Sequence, residues 1–331
     1  MSGSSSHLSL TLRARSVTGC SLARAPPDGH AERVDDRTGS PAALAAALRT
    51  TGYLADDDLA TAAFLALKMH RPLFCEGEPG TGKTALAQAL ATVLDAELIR
   101  LQCYEGIDAS QALYDWDFPR QLLHLRALEA TGGAGRTDDV EASLYDRRFL
   151  LARPILRALQ SPRAVLLVDE IDRADDEFEA FLLEVLTEHA VSIPELGEVR
   201  AAVPPVVVLT SNRTREVHDA LKRRCLYHWV DHPSFEREVA IVRARYPQAS
   251  ESLASAVTAA VQRLRSADLL KPPGVAETLD WTQALLALGA RTLDADTATR
   301  TLGAVLKYRE DHERIARNGL ADVLGAAAGG A

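Results

Sequence analysis

The sequence has few cysteines, and none of them is placed to build a metal or redox site. Its 331 residues include four cysteines that lie far apart: Cys20, Cys75, Cys103 and Cys225. No C-x-x-C pair occurs, and no cysteine–histidine cluster has the spacing of a zinc site. We therefore expect reduced thiols, as in a cytoplasmic protein.

Long apolar runs and excess positive charge are also missing. No run approaches the roughly 18 residues of a membrane-spanning helix, and the N-terminus lacks the basic-then-apolar order of a secretory signal. The net charge of −9 argues against general affinity for nucleic acid, although it would not reveal a local basic groove. With 47% hydrophobic residues, the chain can fill the cores of two soluble domains.

Residues 77–84 fit the pattern G-x-x-x-x-G-K-[ST] of a loop that wraps nucleotide phosphates. The residues are Gly77, Glu78, Pro79, Gly80, Thr81, Gly82, Lys83 and Thr84. A short apolar run precedes the loop and a strong helix former follows it, as this loop requires. Backbone N–H groups and the helix N-terminus would bind the phosphates, Lys83 would reach the β- and γ-phosphates, and Thr84 could ligate Mg²⁺. The alternative is a simple glycine-rich turn.

A second chemical segment follows an apolar run at residues 164–168, which is typical of a strand buried in a parallel sheet. The run ends in Asp169 and Glu170. Asp169 could hold Mg²⁺ beside the phosphate loop, while Glu170 could polarise the attacking water. The alternative is that the two acids only cap a helix that begins near Asp175.

Two further polar positions follow predicted strands. Asn212 comes after an apolar strand at residues 206–210, where it could orient the attacking water or merely form an Asx turn. Arg224, with Arg223 as its rival, precedes the last strand at residues 226–230. Such arginines are ordinary surface residues, or in a ring they reach the γ-phosphate held by the neighbouring subunit.

The chain divides into three parts. Residues 1–42 predict a disordered leader; a basic presequence is the alternative, which the leader's acidic residues oppose. Residues 43–231 predict an α/β domain with helices at 108–130 and 147–160, a glycine-rich loop at 132–139 and a hairpin turning at 194–197. Residues 232–331 predict a helical domain, with one helix at 294–316 and a fraying tail from Gly325.

Taken in order, residues 77–84, 165–170, 209–212 and 221–225 resemble the AAA+ ATPases. The sequences of residues 167–181 and 209–216 resemble those of the MoxR group, and particularly those of CoxD-like members linked to carbon monoxide dehydrogenase maturation. The resemblance implies a three-layer αβα P-loop NTPase core with a parallel sheet of order 5-1-4-3-2, followed by a small all-helical lid. It also implies a homohexameric ring, with ATP and Mg²⁺ as cofactors and hydrolysis used to remodel a partner protein.

The resemblance also assigns roles to single residues. It implies that Lys83 and Thr84 belong to Walker A, Asp169 and Glu170 to Walker B, that Asn212 is sensor 1, and that Arg224 is the arginine finger. It makes residues 103–128 the family's helix-2 insert and residues 191–202 the hairpin before sensor 1. The implied client is a metalloenzyme or a von Willebrand factor A-domain protein.

The chain departs from the family at sensor 2, because no arginine stands in residues 274–280. Lid coupling must then weaken, use another residue, or fall to a neighbour's arginine such as Arg213 or Arg215. The other functions considered are a DNA-acting AAA+ motor, which lacks a basic helix, and a slow nucleotide-switched binding module. A small-molecule kinase is the last alternative, and it would have no need of Glu170, Asn212 and a lid together.

Overall fold

The protein is described by a computed structural model that covers residues 36–130, 143–318 and Leu324. Most of the predicted leader, the glycine-rich loop at 132–139 and the tail from residue 325 lie outside the described residues. The end of the leader is described, and there the prediction needs a correction. Pro41 already opens a helix, because Ser40 caps it and proline at the first helical position costs no hydrogen bond, so the boundary at residue 42 is too late.

The α/β region alternates strands and helices. In chain order its elements are α1 (Pro41–Thr50), α2 (Asp57–Met69), β1 (Leu73–Glu76), α3 (Lys83–Leu94), β2 (Glu97–Gln102), α4 (Ala109–Leu113), β3 (Tyr114–Trp116), α5 (Phe118–Ala130), β4 (Leu150–Ala152), α6 (Pro154–Gln160), β5 (Ala164–Asp169), α7 (Asp176–Glu188), β6 (Ala190–Ile193), β7 (Gly197–Arg200), β8 (Val206–Ser211), α8 (Asp219–Arg224) and β9 (Leu226–Trp229). Short 3₁₀ turns lie at Arg147–Phe149, just before β4, and at Ile171–Arg173, between β5 and α7.

The main sheet has five strands, and every neighbouring pair in it is parallel. Its spatial order is β2-β5-β8-β1-β9, which reads 5-1-4-3-2 when the five strands are numbered along the chain. Since all the strands run the same way, their carboxyl ends lie at one edge of the sheet. Gly77, Glu170 and Asn212 each follow one of the three adjacent strands β1, β5 and β8, so the topology brings them to the same edge.

Each face of the sheet buries its own apolar cluster, which makes the region a three-layer αβα sandwich. On one face Phe74, Leu166 and Leu209 pack with residues of α4, α6 and α7. On the other face Leu73, Leu167 and Val208 pack with α1, α2 and α3. Successive strand residues point to opposite faces, so a strand buried on both faces must be apolar along its length, as β5 is up to its last residue, Asp169.

The structure contradicts two of the helices predicted in the α/β region. Residues 108–130 do not form one helix, because Tyr114–Trp116 leaves it to pair antiparallel with Leu150–Ala152. That pairing also interrupts the helix predicted at 147–160, which starts only at Pro154. Aromatic residues such as Tyr114 and Trp116 favour strands, and proline favours the first turn of a helix. The observed strand and the helix start at Pro154 therefore agree with local preferences, although the apolar pattern predicted helix in both places.

The predicted hairpin is present. β6 and β7 pair antiparallel from Ala190 opposite Arg200 to Ile193 opposite Gly197. Gly197 has a φ of 79°, a left-handed conformation that glycine adopts without steric cost, and this lets the chain turn back.

The region after β9 is helical. Its elements are α9 (Phe235–Arg245), α10 (Glu251–Ser266), α11 (Val275–Ala287), α12 (Ala295–Thr301) and α13 (Arg309–Asn318), with a 3₁₀ turn at Leu302–Ala304. The single helix predicted at 294–316 is therefore wrong, since the chain turns between α12 and α13. These helices bury a separate cluster around Trp281, whose indole N–H donates to Thr301 Oγ1 at 2.7 Å. Within the described part of the chain, no helix combines the length and apolar character needed to cross a membrane.

Candidate nucleotide site

The glycine-rich loop joins β1 to α3, and its backbone requires glycine at two or more positions. Gly80 and Gly82 have φ values of 77° and 94°, which side chains with a Cβ rarely adopt. At Gly77 the constraint is space, because a Cβ there would lie 2.3 Å from the Val230 carbonyl oxygen. The pattern in the sequence therefore corresponds to a loop whose shape only glycine permits.

Lys83 lies inside this loop and is 5% exposed. Its Nζ donates to the carbonyl oxygens of Gly77 and Glu78, each at 2.7 Å. Burial is the main influence on this ammonium, and it holds the pKa of Lys83 below its ordinary value. The Lys83 ammonium is thus bound at the centre of the loop by neutral carbonyl oxygens only. An anionic ligand could replace these carbonyls as its hydrogen-bond partner.

Thr84 and Asp169 lie side by side, although they are far apart in the sequence. Thr84 Oγ1 donates to Asp169 Oδ1 at 3.0 Å, and Thr210 Oγ1 donates to the same oxygen at 2.5 Å. Arg100 Nε donates to the other carboxylate oxygen at 2.9 Å. A hydroxyl and a buried carboxylate are hard oxygen ligands of the kind Mg²⁺ prefers, so the two residues fit the metal expected there.

Glu170 is held in an unusual backbone conformation with a φ of 57°. Its backbone N–H donates to Thr210 Oγ1 at 3.0 Å, which ties it to the neighbouring strand β8. Its carboxylate accepts hydrogen bonds from Gln102 Nε2 at 3.1 Å and from Asn212 Nδ2 at 3.4 Å. A strained residue at the end of a central strand is a common feature of functional sites, and here it aims a carboxylate at the loop edge.

Asn212 owes its position to Asp172. The Asn212 backbone N–H donates to Asp172 Oδ1 at 3.2 Å, and the Thr214 N–H donates to Oδ2 at 2.8 Å. Asp172 is 3% exposed and spans the gap between the segments after β5 and β8. The structure therefore brings together Lys83, Thr84, Asp169, Glu170 and Asn212 at one edge of the sheet.

Arg224 and Arg223 do not belong to this cluster. They end α8, immediately before the amino end of β9, whereas the phosphate loop follows the carboxyl end of the adjacent β1. Both side chains are exposed, and among the described residues neither has a recorded side-chain partner. A four-residue strand, about 13 Å long, separates them from the loop edge of their own subunit.

The helical region touches the loop through backbone groups. The N–H groups of Val275 and Ala276, in the first turn of α11, donate to the Gly80 carbonyl oxygen at 3.0 and 3.2 Å. Glu277 accepts from the Gly274 N–H at 2.8 Å, which satisfies the backbone donor of the residue before the helix. Among the described residues, the helical region thus contacts the loop directly through backbone groups.

The arginines considered as substitutes for sensor 2 have partners in their own chain. Arg215 pairs with Glu179, which is 2% exposed, and also with Asp176 at 3.0 Å. Arg213 pairs with Glu216 at 3.5 Å on an exposed surface. The buried partner of Arg215 makes it the costlier of the two to release.

A cavity of about 630 Å³ opens beside the loop, between the α/β region and the helical region. Tyr53, Gly82 and Ala89 line one side, and Ile241 and Leu279 line the other. Polar groups, among them Asp231 and Arg237, also line the cavity. A pocket of mixed lining next to a phosphate-binding loop suits a nucleotide base, which is flat and apolar on its faces and polar at its edge. The sequence pattern did not reveal this cavity, nor the supporting roles of Arg100, Gln102, Asp172 and Thr210, because the contacts join segments distant in the chain.

The family comparison agrees with this geometry. Residues 72–225 match the AAA domain of the dynein-related subfamily. These residues form an AAA-type ATPase domain. The match begins just before β1 and ends after α8, so the AAA domain contains the loop, both acids, Asn212 and Arg224.

The chain is also similar to two proteins at low sequence identity. An uncharacterized protein of Staphylococcus aureus is 26% identical over 170 residues, which are 50% of this chain and 57% of that protein. The chain thus spans little more than half the length of this relative. The Thermotoga maritima RuvB Holliday junction branch migration motor is 16% identical, with 85% of this chain and 82% of that chain covered and a TM-score of 0.42. A structure of the same motor carrying a single substitution has 16% identity, coverages of 82% and 80%, and a TM-score of 0.45.

Proposed function

We propose that this chain is a MoxR-group, CoxD-like AAA+ ATPase that hydrolyses Mg-ATP in order to remodel or mature a client protein. One observation carries the proposal. The carboxylate of Glu170 and the amide of Asn212 lie 3.4 Å apart, next to the bonded pair of Thr84 and Asp169 at the edge of the phosphate loop. These are the groups that ATP hydrolysis needs, in one place.

Each group has a distinct task in this proposal. Lys83 exchanges its two carbonyl partners for phosphate oxygens, a favourable exchange because a buried ammonium gains a charged partner. Thr84 and Asp169 hold Mg²⁺, which when bound would neutralise charge on the β- and γ-phosphates. Glu170 orients a water and accepts its proton, while Asn212 fixes the carboxylate and the water in line.

The position of Arg224 supports assembly into a ring, for which we propose a homohexamer. Arg224 and Arg223 lie at the opposite edge of the sheet from the loop of their own subunit, as exposed cations. In the proposed ring, an arginine so placed acts on the nucleotide bound to the neighbouring subunit. There it would stabilise charge in the transition state.

The client is proposed from the sequence resemblance alone. A metalloenzyme such as a molybdenum hydroxylase, or a von Willebrand factor A-domain protein, is the partner class that CoxD-like members imply. Steady-state ATPase rates measured with and without such a purified protein test this part separately from the hydrolysis itself.

The decisive experiment on hydrolysis is Glu170→Gln. The change keeps the size of the side chain and one of its two accepting oxygens but removes the base. We therefore expect turnover to fall by about 100-fold or more, with fluorescent ATP-analogue binding unchanged. Glu177→Gln, an exposed acid in the first turn of α7, is the matched control and should remain active. Substantial hydrolysis by Glu170→Gln would sink the role assigned to Glu170.

One observation favours a second function, a nucleotide-switched binding module with slow turnover. No arginine opens α11, and Arg265 of the adjacent helix is bound through both terminal nitrogens to the buried Glu238, at 2.6 and 2.7 Å. A lid that contacts the loop only through the Gly80 carbonyl would move when nucleotide binds, but it would place no positive charge beside the γ-phosphate. Nucleotide-dependent client binding together with negligible steady-state hydrolysis would favour this function over the first.

A further inference from the structure

Arg71 binds the end of the helix that carries Arg223 and Arg224. Its Nε donates to the Arg224 carbonyl oxygen at 3.1 Å. One of its terminal nitrogens donates to the Arg223 carbonyl oxygen at 2.7 Å and to that of Cys225 at 3.3 Å. A single guanidinium thus holds three consecutive carbonyls.

This arrangement fixes a piece of backbone that is otherwise weakly held. The last carbonyls of a helix have no partner within it, and α8 has only six residues, too few to be stable by itself. A planar cation at the negative end of the helix satisfies the carbonyls in a defined geometry, whereas water would satisfy them in many. The direction of the two arginine side chains depends on that backbone.

Arg71 also connects this helix end to the phosphate loop. It lies just before β1, and the Leu226 N–H donates to the Pro72 carbonyl oxygen at 2.8 Å, where β9 begins beside β1. At its other end β1 runs directly into Gly77. One four-residue strand therefore joins the loop that would bind the subunit's own ATP to the arginines that would reach a neighbour's.

We propose that Arg71 is a positioning residue that aims the arginine finger at the nucleotide of the neighbouring subunit. The inference rests on the proposed function, since it needs hydrolysis assisted by an arginine in trans. Arg71 itself does not touch the nucleotide, because it lies at the amino end of β1, away from the loop.

The bonds to the Arg223 and Arg224 carbonyls lie at the surface, where water can replace the guanidinium, and only the bond to the Cys225 carbonyl is partly buried. Removing Arg71 therefore costs little folding stability, but it releases the end of α8. Misplacement of a catalytic group by about 1 Å can cost roughly 100-fold in rate. Arg71→Ala should thus lower kcat by about 100-fold, with KM and ATP-analogue affinity within about twofold of wild type.

A double-mutant cycle on the full chain tests the proposal. The variants are Arg71→Ala, Arg223→Ala, Arg224→Ala, and Arg71→Ala combined with whichever finger variant loses activity. Because Arg71 acts through the finger, the double variant should be no slower than the finger variant alone. Arg71→Lys, which keeps the charge but loses the fork, should have an intermediate kcat. Arg157→Ala, which removes an exposed arginine paired with Glu97, is the control and should keep full activity.

The outcomes separate this inference from the proposed function. Losses that multiply in the double variant, or full activity in Arg71→Ala, overturn the role of Arg71 alone. Full activity in both finger variants overturns the trans arginine, and the role of Arg71 with it. If Arg71→Ala does not fold, Arg71→Gln takes its place in the cycle, and the same criteria apply.

Discussion

The contact between the phosphate loop and the helical region gives the sharpest test of how the nucleotide site is built. Gly274 has an ordinary backbone conformation, with a φ of −86°, so alanine would not strain it. An added Cβ would, however, lie 2.7 Å from the Pro79 carbonyl oxygen and 2.9 Å from Gly80 Cα. Both atoms belong to backbone and cannot swing away, so Gly274→Ala must push α11 off the loop.

The magnitude follows from what that displacement breaks. Two hydrogen bonds to the Gly80 carbonyl oxygen are lost, from the Val275 and Ala276 N–H groups. At about 0.5–1.5 kcal/mol each, they contribute about 1–3 kcal/mol to the association of lid and loop. Val275 also lines the cavity beside the loop, so the same displacement opens the proposed nucleotide pocket. We expect ATP-analogue affinity to fall by roughly 5- to 150-fold.

The assay is equilibrium titration of purified protein with a fluorescent ATP analogue. Gly303→Ala is the matched control, since a Cβ there meets nothing within 4 Å, and its affinity should equal that of wild type. Thermal unfolding of both variants separates lost binding from lost folding. Wild-type affinity in a folded Gly274→Ala protein would refute the idea that lid–loop contact shapes the pocket.

Two further predictions concern the helical region. Arg265→Leu leaves the carboxylate of Glu238, which is 0% exposed, without its charged partner. Urea titration should therefore show that the free energy of unfolding falls by about 3–5 kcal/mol. In the control Arg300→Leu, whose ion pair is exposed, this free energy should hardly change. A loss that is equal in the two variants would contradict this account. Burial first, and then the positive charge of Arg265, hold the pKa of His232 below its ordinary 6.5. As pH falls, the unfolded chain therefore takes up a proton at this histidine before the folded chain does, and the free energy of unfolding should fall below about pH 6.5. The fall should be less steep in His232→Gln. An unchanged slope in that variant would show that His232 is not its cause.

Much of the site could be predicted from the sequence because its chemistry is local. The spacing of Gly77, Gly82, Lys83 and Thr84 specifies a phosphate-binding loop, and an apolar run ending in two acids specifies a strand end. Parallel strands then bring such ends to one edge whatever the intervening chain contains. The AAA domain could be recognised for this reason.

The failures share a different cause. Tyr114–Trp116 forms a strand and not a helix because it pairs with Leu150–Ala152. These two segments are far apart in the sequence, so local periodicity does not predict their pairing. The helix predicted at 294–316 broke for a similar reason, since Leu302 and Ile315 must both reach the cluster around Trp281. Helical pattern is a preference of single segments, and long-range pairing outweighs it.

The sequence by itself determined which groups could do chemistry: a phosphate loop, two acids, an asparagine and a pair of arginines. Only the tertiary structure decided how they are related. Thr210 holds Asp169 and the backbone of Glu170 together, Gly80 meets α11, and Arg71 holds the end of α8. The reason is physical: each of these contacts joins residues far apart in the chain, so their geometry exists only once the sheet has brought the segments together.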